Sequence, residues 1–282
     1  MEYVDPHIHI DTRNYEDMVE ISKKGIRAMV SPAYVLLPAY DAHTILSATD
    51  HLIRLIKPTY DRFFIKVFAT VGLNMLVIPE DYEKVLERYP KYIEDVEEVV
   101  AVGEVGLDPR DPRRIGFVAE TAVPTSMELQ TEILKEEMRL GKKYNIPVDC
   151  HTPPNWDEPK IRRIEFAERY LELADEVGLP RELLIIDHAD EEMVKLISGS
   201  GAWAAITVQP WRKLHPEDAA EIIGKYGTER ILVDCDAAAQ PWPSNALAVP
   251  DTAFAMRRYG LSEADVRKVL YDNPIDLFKL RL

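Results

Sequence analysis

Residues 3–11 read Tyr3-Val4-Asp5-Pro6-His7-Ile8-His9-Ile10-Asp11. Alternate side chains of a strand share a face, so a strand over 3–9 presents His7 and His9 together, close enough to share one metal ion. Outward from it, further ligand-type residues each close an apolar run: Glu104, His151, His188 and Asp236. These imidazoles and carboxylates are too many for one tetrahedral site and suit two divalent cations. Such mixed ligation accommodates Zn, Mn, Mg, Fe or Ni alike.

Short apolar runs near 3–9, 26–31, 63–71, 99–106, 147–151, 183–188, 203–208 and 230–235 read as strands. They alternate with stretches of helical period near 14–24, 42–56, 80–97, 128–144, 160–178, 190–199, 216–226 and 251–270. The last stretch breaks at Tyr259-Gly260-Leu261-Ser262, where Gly can end one helix and Ser can cap the next. A closing helix follows Asn273-Pro274. This alternation predicts an α/β fold, a (β/α)8 TIM barrel, as a single domain over 1–282. In such a barrel the strands' C-terminal ends share one rim, which gathers all six ligand-type residues into one ring. The long irregular stretches 107–127 and 237–250 follow strands and so belong to that mouth. Their prolines (Pro109, Pro112, Pro124, Pro241, Pro243 and Pro250) predict ordered loops.

Two cations roughly 3.5–4 Å apart need a bridging carboxylate against their repulsion. Glu104 suits that role, with Gly103 and Gly106 letting backbone and ions approach closely. The pair would lower the pKa of a bound water toward about 7. Asp236 could ligate one ion and take the proton of the attacking water as general base. Asp5 and Asp11 are candidates to orient the imidazoles; Asp11 could equally cap the first helix. Asp234 shares the face of Asp236 by alternation and is expected as a hydrogen-bonding neighbour.

The segment Pro109-Arg110-Asp111-Pro112-Arg113-Arg114 and the run Trp211-Arg212-Lys213 place positive charge at the mouth. Arg110, Trp211 and Arg212 are the candidate substrate contacts, and Trp242 a further pocket aromatic. Cys150 and Cys235 each precede a ligand, so they face away from the ring and are expected to pack. His43 and His51 are expected at the surface, and His215 in a structural role at a helix start.

With 34 basic and 49 acidic residues, the net charge of -15 repels a polyanion over most of the surface. An extended nucleic-acid surface is therefore disfavoured, whereas a small anionic substrate or a nucleic-acid end could still reach a cationic site. Two cysteines make no disulfide framework. No apolar run approaches the roughly 20 residues that span a bilayer, and the chain enters its first strand without a signal-like segment. A cytoplasmic protein without membrane contact is expected.

Several of these segments together resemble the TatD-type metal-dependent hydrolases, an amidohydrolase-like barrel family. Asp5-Pro6-His7-Ile8-His9-Ile10-Asp11 resembles the family's opening motif and Gly103-Glu104-Val105-Gly106-Leu107-Asp108 its second. Pro147-Val148-Asp149-Cys150-His151 resembles the third, and Asp187-His188 its next histidine. Ile231 through Asp236 is similar to the strand of the last aspartate, and Asn273-Pro274 through Leu277-Phe278 to the closing signature. The resemblance implies one cation on His7, His9, Glu104 and Asp236 and another on Glu104, His151 and His188. It also implies hydrolysis, best known as phosphodiester cleavage in DNA; related members cut other bonds, including an ester joining an amino acid to tRNA.

The substrate-reading residues depart from the family. Thr152-Pro153-Pro154 stands where a Ser-Arg pair is usual, and Asp234-Cys235-Asp236 where Glu-Thr-Asp is usual. Gln130 is retained on the helix before the third motif, with Ile133 and Glu136 in place of a Phe and a second Gln. Phosphoester hydrolysis is the leading expectation. Cleavage of a carboxylic ester, amide or lactone is the second, and a metal- or ligand-binding barrel without turnover the third. The carboxylated lysine that often bridges the metals of phosphotriesterase-type amidohydrolases has no counterpart near Glu104.

Overall fold

A computed structural model describes residues 1–35, 41–114, 124–154, 161–211, 213–239 and 245–282. Arg212, Pro241, Trp242 and Pro243 lie outside the described residues. The strands are β1 (Tyr3–Asp5), β2 (Ile26–Ser31), β3 (Lys66–Val71), β4 (Val99–Gly106), β5 (Val148–His151), β6 (Leu184–Ile186), β7 (Trp203–Thr207) and β8 (Ile231–Asp234). They form one sheet in sequence order, with each strand parallel to the next from β1 to β8. Between and after them come α1 (Tyr15–Lys23), α2 (Ala42–Phe63), α3 (Glu83–Asp95), α4 (Met127–Tyr144), α5 (Arg163–Val177), α6 (Glu191–Ile197), α7 (Pro216–Tyr226), α8 (Ala248–Tyr259), α9 (Glu263–Arg267) and α10 (Asn273–Phe278). The chain is a single-domain (β/α)8 barrel. Among the described residues no helix is long and apolar enough to cross a membrane.

Helix ends follow local chemistry. The Asn14, Ser126 and Asp190 side chains accept from backbone N–H groups in the first turns of α1, α4 and α6. Gly260 ends α8 in the left-handed region, and Ser262 with Asp265 forms a capping box on α9. One boundary differs from the expected 42–56: α2 continues through Pro58 to Phe63. Pro58 is exposed, so the helix carbonyl it leaves without a donor can turn to water. The following strand accordingly starts at Lys66 rather than at residue 63.

Two apolar layers flank the sheet. One, with Met29, Ala204 and Ile206, packs under the helices. The other, with Val4, Ala28, Val30, Phe68, Ile185, Trp203, Ala205 and Leu232, fills the interior and ends on Leu277, Phe278 and Leu280 of the closing segment. Asn273 fastens that segment, donating to the carbonyls of Thr228 and Ile231, both at 2.8 Å.

Beyond the strands proper, the ends of β8 and β1 are joined by Asp236 N–H donating to His7 O (2.9 Å) and His9 N–H to Ala237 O (3.1 Å). The regular strand stops at Asp5, four residues short of the expected end. Val4 faces the interior, whereas Ile8 and Ile10 join the layer under the helices. Strict alternation from Val4 would have sent His7 outward; the break after Asp5 turns it in.

Candidate metal centre

The ring assembles on the seam between β8 and β1 and on the ends of β4, β5 and β6. The rings of His7 and His9 stand 5.3 Å apart edge to face. His9 Nδ1 lies 3.2 Å from the carbonyl of Pro32, so as donor it leaves Nε2 free to ligate. His188 Nδ1 meets Thr207 Oγ1 at 2.6 Å, which turns Nε2 toward Glu104 Oε1 at 3.2 Å. His151 Nδ1 lies 2.5 Å from the same Glu104 oxygen and 3.0 Å from His188 Nε2. Asp236 Oδ1 faces His9 Nε2 at 3.3 Å and His7 Nε2 at 3.8 Å.

Donor atoms of His7, His9 and Glu104 lie within 4.8 Å of one another, as do those of Glu104, His151 and His188. Glu104 belongs to both triads. His188 and Asp236 hold positive φ angles of 58° and 40°, a backbone region unusual for residues with a Cβ. Several buried donor atoms, His7 Nε2 and His151 Nε2 among them, have no hydrogen-bond partner. Orphaned imidazole nitrogens around a shared carboxylate fit divalent cations.

Beneath the ring lies a nest of carboxylates. Asp187 Oδ2 is 2.8 Å and Asp149 Oδ2 3.3 Å from His7 Nδ1. Burial works against an imidazolium at His7, yet Asp187 and Asp149 outweigh it and raise its pKa well above the ordinary value. His188 goes the other way, lowered to about 4 by burial, with Lys213 and His151 adding to it. Burial would raise Glu104, but the histidines hold it well below the usual range; for Asp236, Lys213 and His9 do the same. Burial pushes Asp5 up to about 7, and burial with the nearby Asp187 raises Asp149 to about 6. Asp234 is raised well above its ordinary value by the same two causes. So much crowded negative charge is what bound cations would relieve.

Several expectations need correction. Asp5 does not touch an imidazole: its Oδ1 accepts from the backbone N–H groups of His7 and Cys235, at 3.2 and 3.4 Å. Asp11 does not cap α1, a role Asn14 fills; it accepts from Tyr34 N–H at 2.9 Å, and the Tyr34 ring packs edge-on against His9. Asp234 is no hydrogen-bonding neighbour, since neither carboxylate oxygen has a partner. Gly103 and Gly106 do allow the expected close approach, which is that of β5. A Cβ at Gly103 would meet Asp149 Cβ at 2.8 Å, and one at Gly106 would meet His151 O at 2.9 Å. On α4 Glu137 is a buried carboxyl, and Glu136 pairs with Arg139 at the surface.

Arg110 is engaged by Asp108, its Nε at 2.9 Å and its Nη2 at 2.5 Å from the carboxylate. Trp211 stands 75% exposed on the loop after β7. Cys150 and Cys235 are buried thiols. Sequence reasoning passed over Asp149 and Asp187 as members of the centre, and placed Lys213 among the positive residues of the mouth. Asp149 was findable, because it lies two residues before His151 on one strand. Asp187 was masked by its neighbour His188. Alternation from the interior-facing Ile185 turns Asp187 inward, and His188 joins it only because its backbone takes a φ of 58° after β6 ends at Ile186. Lys213, which follows Arg212, reaches into the ring, its Nζ 2.6 Å from Asp236 Oδ2.

A family model described as TatD related DNase matches residues 4–279. An uncharacterized metal-dependent hydrolase of Methanocaldococcus jannaschii is 28% identical over 277 residues, covering 98% of this chain and 100% of the relative. The crystal structure of a TatD-like protein from Archaeoglobus fulgidus superposes with a TM-score of 0.74 at 23% identity, covering 99% of this chain and 100% of that one. A β-aspartyl dipeptidase from Fervidobacterium islandicum, solved with a β-Asp-Leu dipeptide, shares the barrel at a TM-score of 0.64 and 16% identity, over 99% of this chain and 75% of its own.

Proposed function

The chain belongs to the TatD related DNase family and is a metal-dependent hydrolase, and from that premise we propose that it holds two divalent cations and cleaves a phosphoester bond in a small anionic substrate or at a nucleic-acid end. The observation that carries the reading is the sharing of Glu104 between two donor triads. His7, His9, Glu104 and Asp236 would hold one cation; Glu104, His151 and His188 would hold the other. Bound cations supply Lewis acidity and make hydroxide available near neutral pH.

The protein's own groups do the remaining work. Asp187 and Thr207, at the Nδ1 sides of His7 and His188, keep the Nε2 atoms of both rings aimed inward. Asp236, held ionised by its neighbours, is placed to accept the proton of an attacking water. A substrate phosphoryl group would meet the ring from the mouth, and the acidity of the remaining surface favours short substrates over long polyanions.

The test is to load the protein with Mn, Mg or Zn, count ions per chain by mass spectrometry, and screen phosphodiester, phosphomonoester and carboxylic ester probes together. The reading expects two ions and phosphoester turnover that falls by about a hundredfold or more in Asp236→Asn, the scale of losing an essential acid-base group. One ion at saturation, or turnover of carboxylic esters alone, overturns it.

A further inference from the structure

Lys213 contacts both halves of the ring. Its Nζ lies 2.6 Å from Asp236 Oδ2 and 3.0 and 3.3 Å from the two ring nitrogens of His188. The two oxygens of Asp236 are thus divided: Oδ1 faces His7 and His9, and Oδ2 faces the ammonium. We propose that Lys213 forms an anion subsite beside the cations, where its ammonium receives an oxygen of the substrate's phosphoryl group. This rests on the phosphoester reading and assigns a residue to its recognition step.

Lys213 is not needed to place Asp236. Backbone hydrogen bonds already fix that residue: its N–H donates to His7 O at 2.9 Å, and its carbonyl accepts from Gln209 Nε2 at 2.6 Å. Gln209 Nε2 also lies 3.4 Å from Oδ2. What the lysine adds is charge. Its side chain is 13% exposed, and its N–H donates to Gln209 O at 2.7 Å, so the turn after β7 carries the ammonium over the ring. In so dry a position a charge-assisted hydrogen bond to a phosphoryl oxygen is far stronger than at an open surface.

Among the described residues, the neighbouring Arg110 and Arg163 are committed elsewhere. Arg110 is clasped by Asp108; Arg163 pairs with Asp190 at 2.7 Å and donates to the carbonyls of Pro153 and His188. Thr152, directly after His151, is buried and uncharged. The β7 loop thus brings a cation to the ring, where Thr152-Pro153-Pro154 directly after His151 carries none. With divalent cations in both triads, repulsion would loosen the ammonium from His188 while Asp236 Oδ2 keeps it tethered at the ring.

The experiment measures binding of inorganic phosphate by calorimetry, together with bound-metal content, for the Mn-loaded wild type, K213M and K213R. Phosphate affinity should fall about 10–100-fold in K213M, the size of one charge-assisted hydrogen bond, and stay within about threefold in K213R. Metal content should be equal in all three. Unchanged phosphate affinity in K213M overturns the subsite, and so does a parallel loss of metal, which would make Lys213 a support for Asp236 alone. Because phosphate binding needs no turnover, the subsite and the phosphoester reading can fail separately.

Discussion

Asp187 shows how one side chain can serve the centre without ligating. Its Oδ2 lies 2.8 Å from His7 Nδ1, and its Oδ1 accepts from Thr207 Oγ1 at 3.2 Å, whose oxygen in turn meets His188 Nδ1. A single carboxylate thus orients one imidazole of each proposed cation site. Asp187→Asn keeps the shape but loses the charge, and orienting partners of this kind typically contribute 10–100-fold, roughly, to metal affinity. Metal titration against a competing chelator should show a loss of that size. An unchanged affinity would assign the orientation of His7 to Asp149, which lies 3.3 Å from the same nitrogen.

At the scale of the element, α4 carries a carboxyl into the apolar layer. Glu137 is almost fully buried, and its Oε1 accepts from Leu73 N–H at 2.7 Å. Burial raises its pKa from 4.5 to about 8, so the folded protein keeps a proton that the unfolded chain gives up. The stabilising contribution of that proton is complete below 4.5 and disappears as pH rises through about 8. Over that window the wild type should lose on the order of 4 kcal/mol to this group. Glu137→Gln, neutral at every pH, should flatten the decline in urea melts between pH 5 and 9, leaving the variant more stable than wild type at the alkaline end. Parallel curves for the two proteins would refute the assignment.

For the molecule as a whole, the two ends of the barrel have divided tasks. The rim with the strand C-termini holds the polar ring, while Leu277, Phe278 and Leu280 close the apolar interior at the other end. Phe278→Ala should cost about 3–5 kcal/mol in denaturant unfolding, as expected for a large buried aromatic, with bound-metal content unchanged. If it depleted metal in step with stability, the two ends would be coupled. The molecule's net charge of -15 carries a further expectation. Long duplex DNA should compete no better than a short oligonucleotide, with affinity nearly independent of salt, because few phosphates would be neutralised. A steep salt dependence in a binding titration would reveal an extended basic surface.

How much could be read in advance differs by level. Alternating apolar runs and helical periods identify the eight units of the barrel, because each signal is local: strands buried on both faces are apolar throughout, and caps lie beside the turns they close. The same locality makes His7, His9, Glu104, His151, His188 and Asp236 legible, since each ends an apolar run. The break that turns His7 inward after Asp5 is not local. It arises where β8 meets β1 through hydrogen bonds between residues more than two hundred positions apart. The same holds for Asp187 beneath His7 and for Lys213 over Asp236. Their partners lie on other strands, and only closure of the sheet decides which charges face one another in a region too dry for water to screen them.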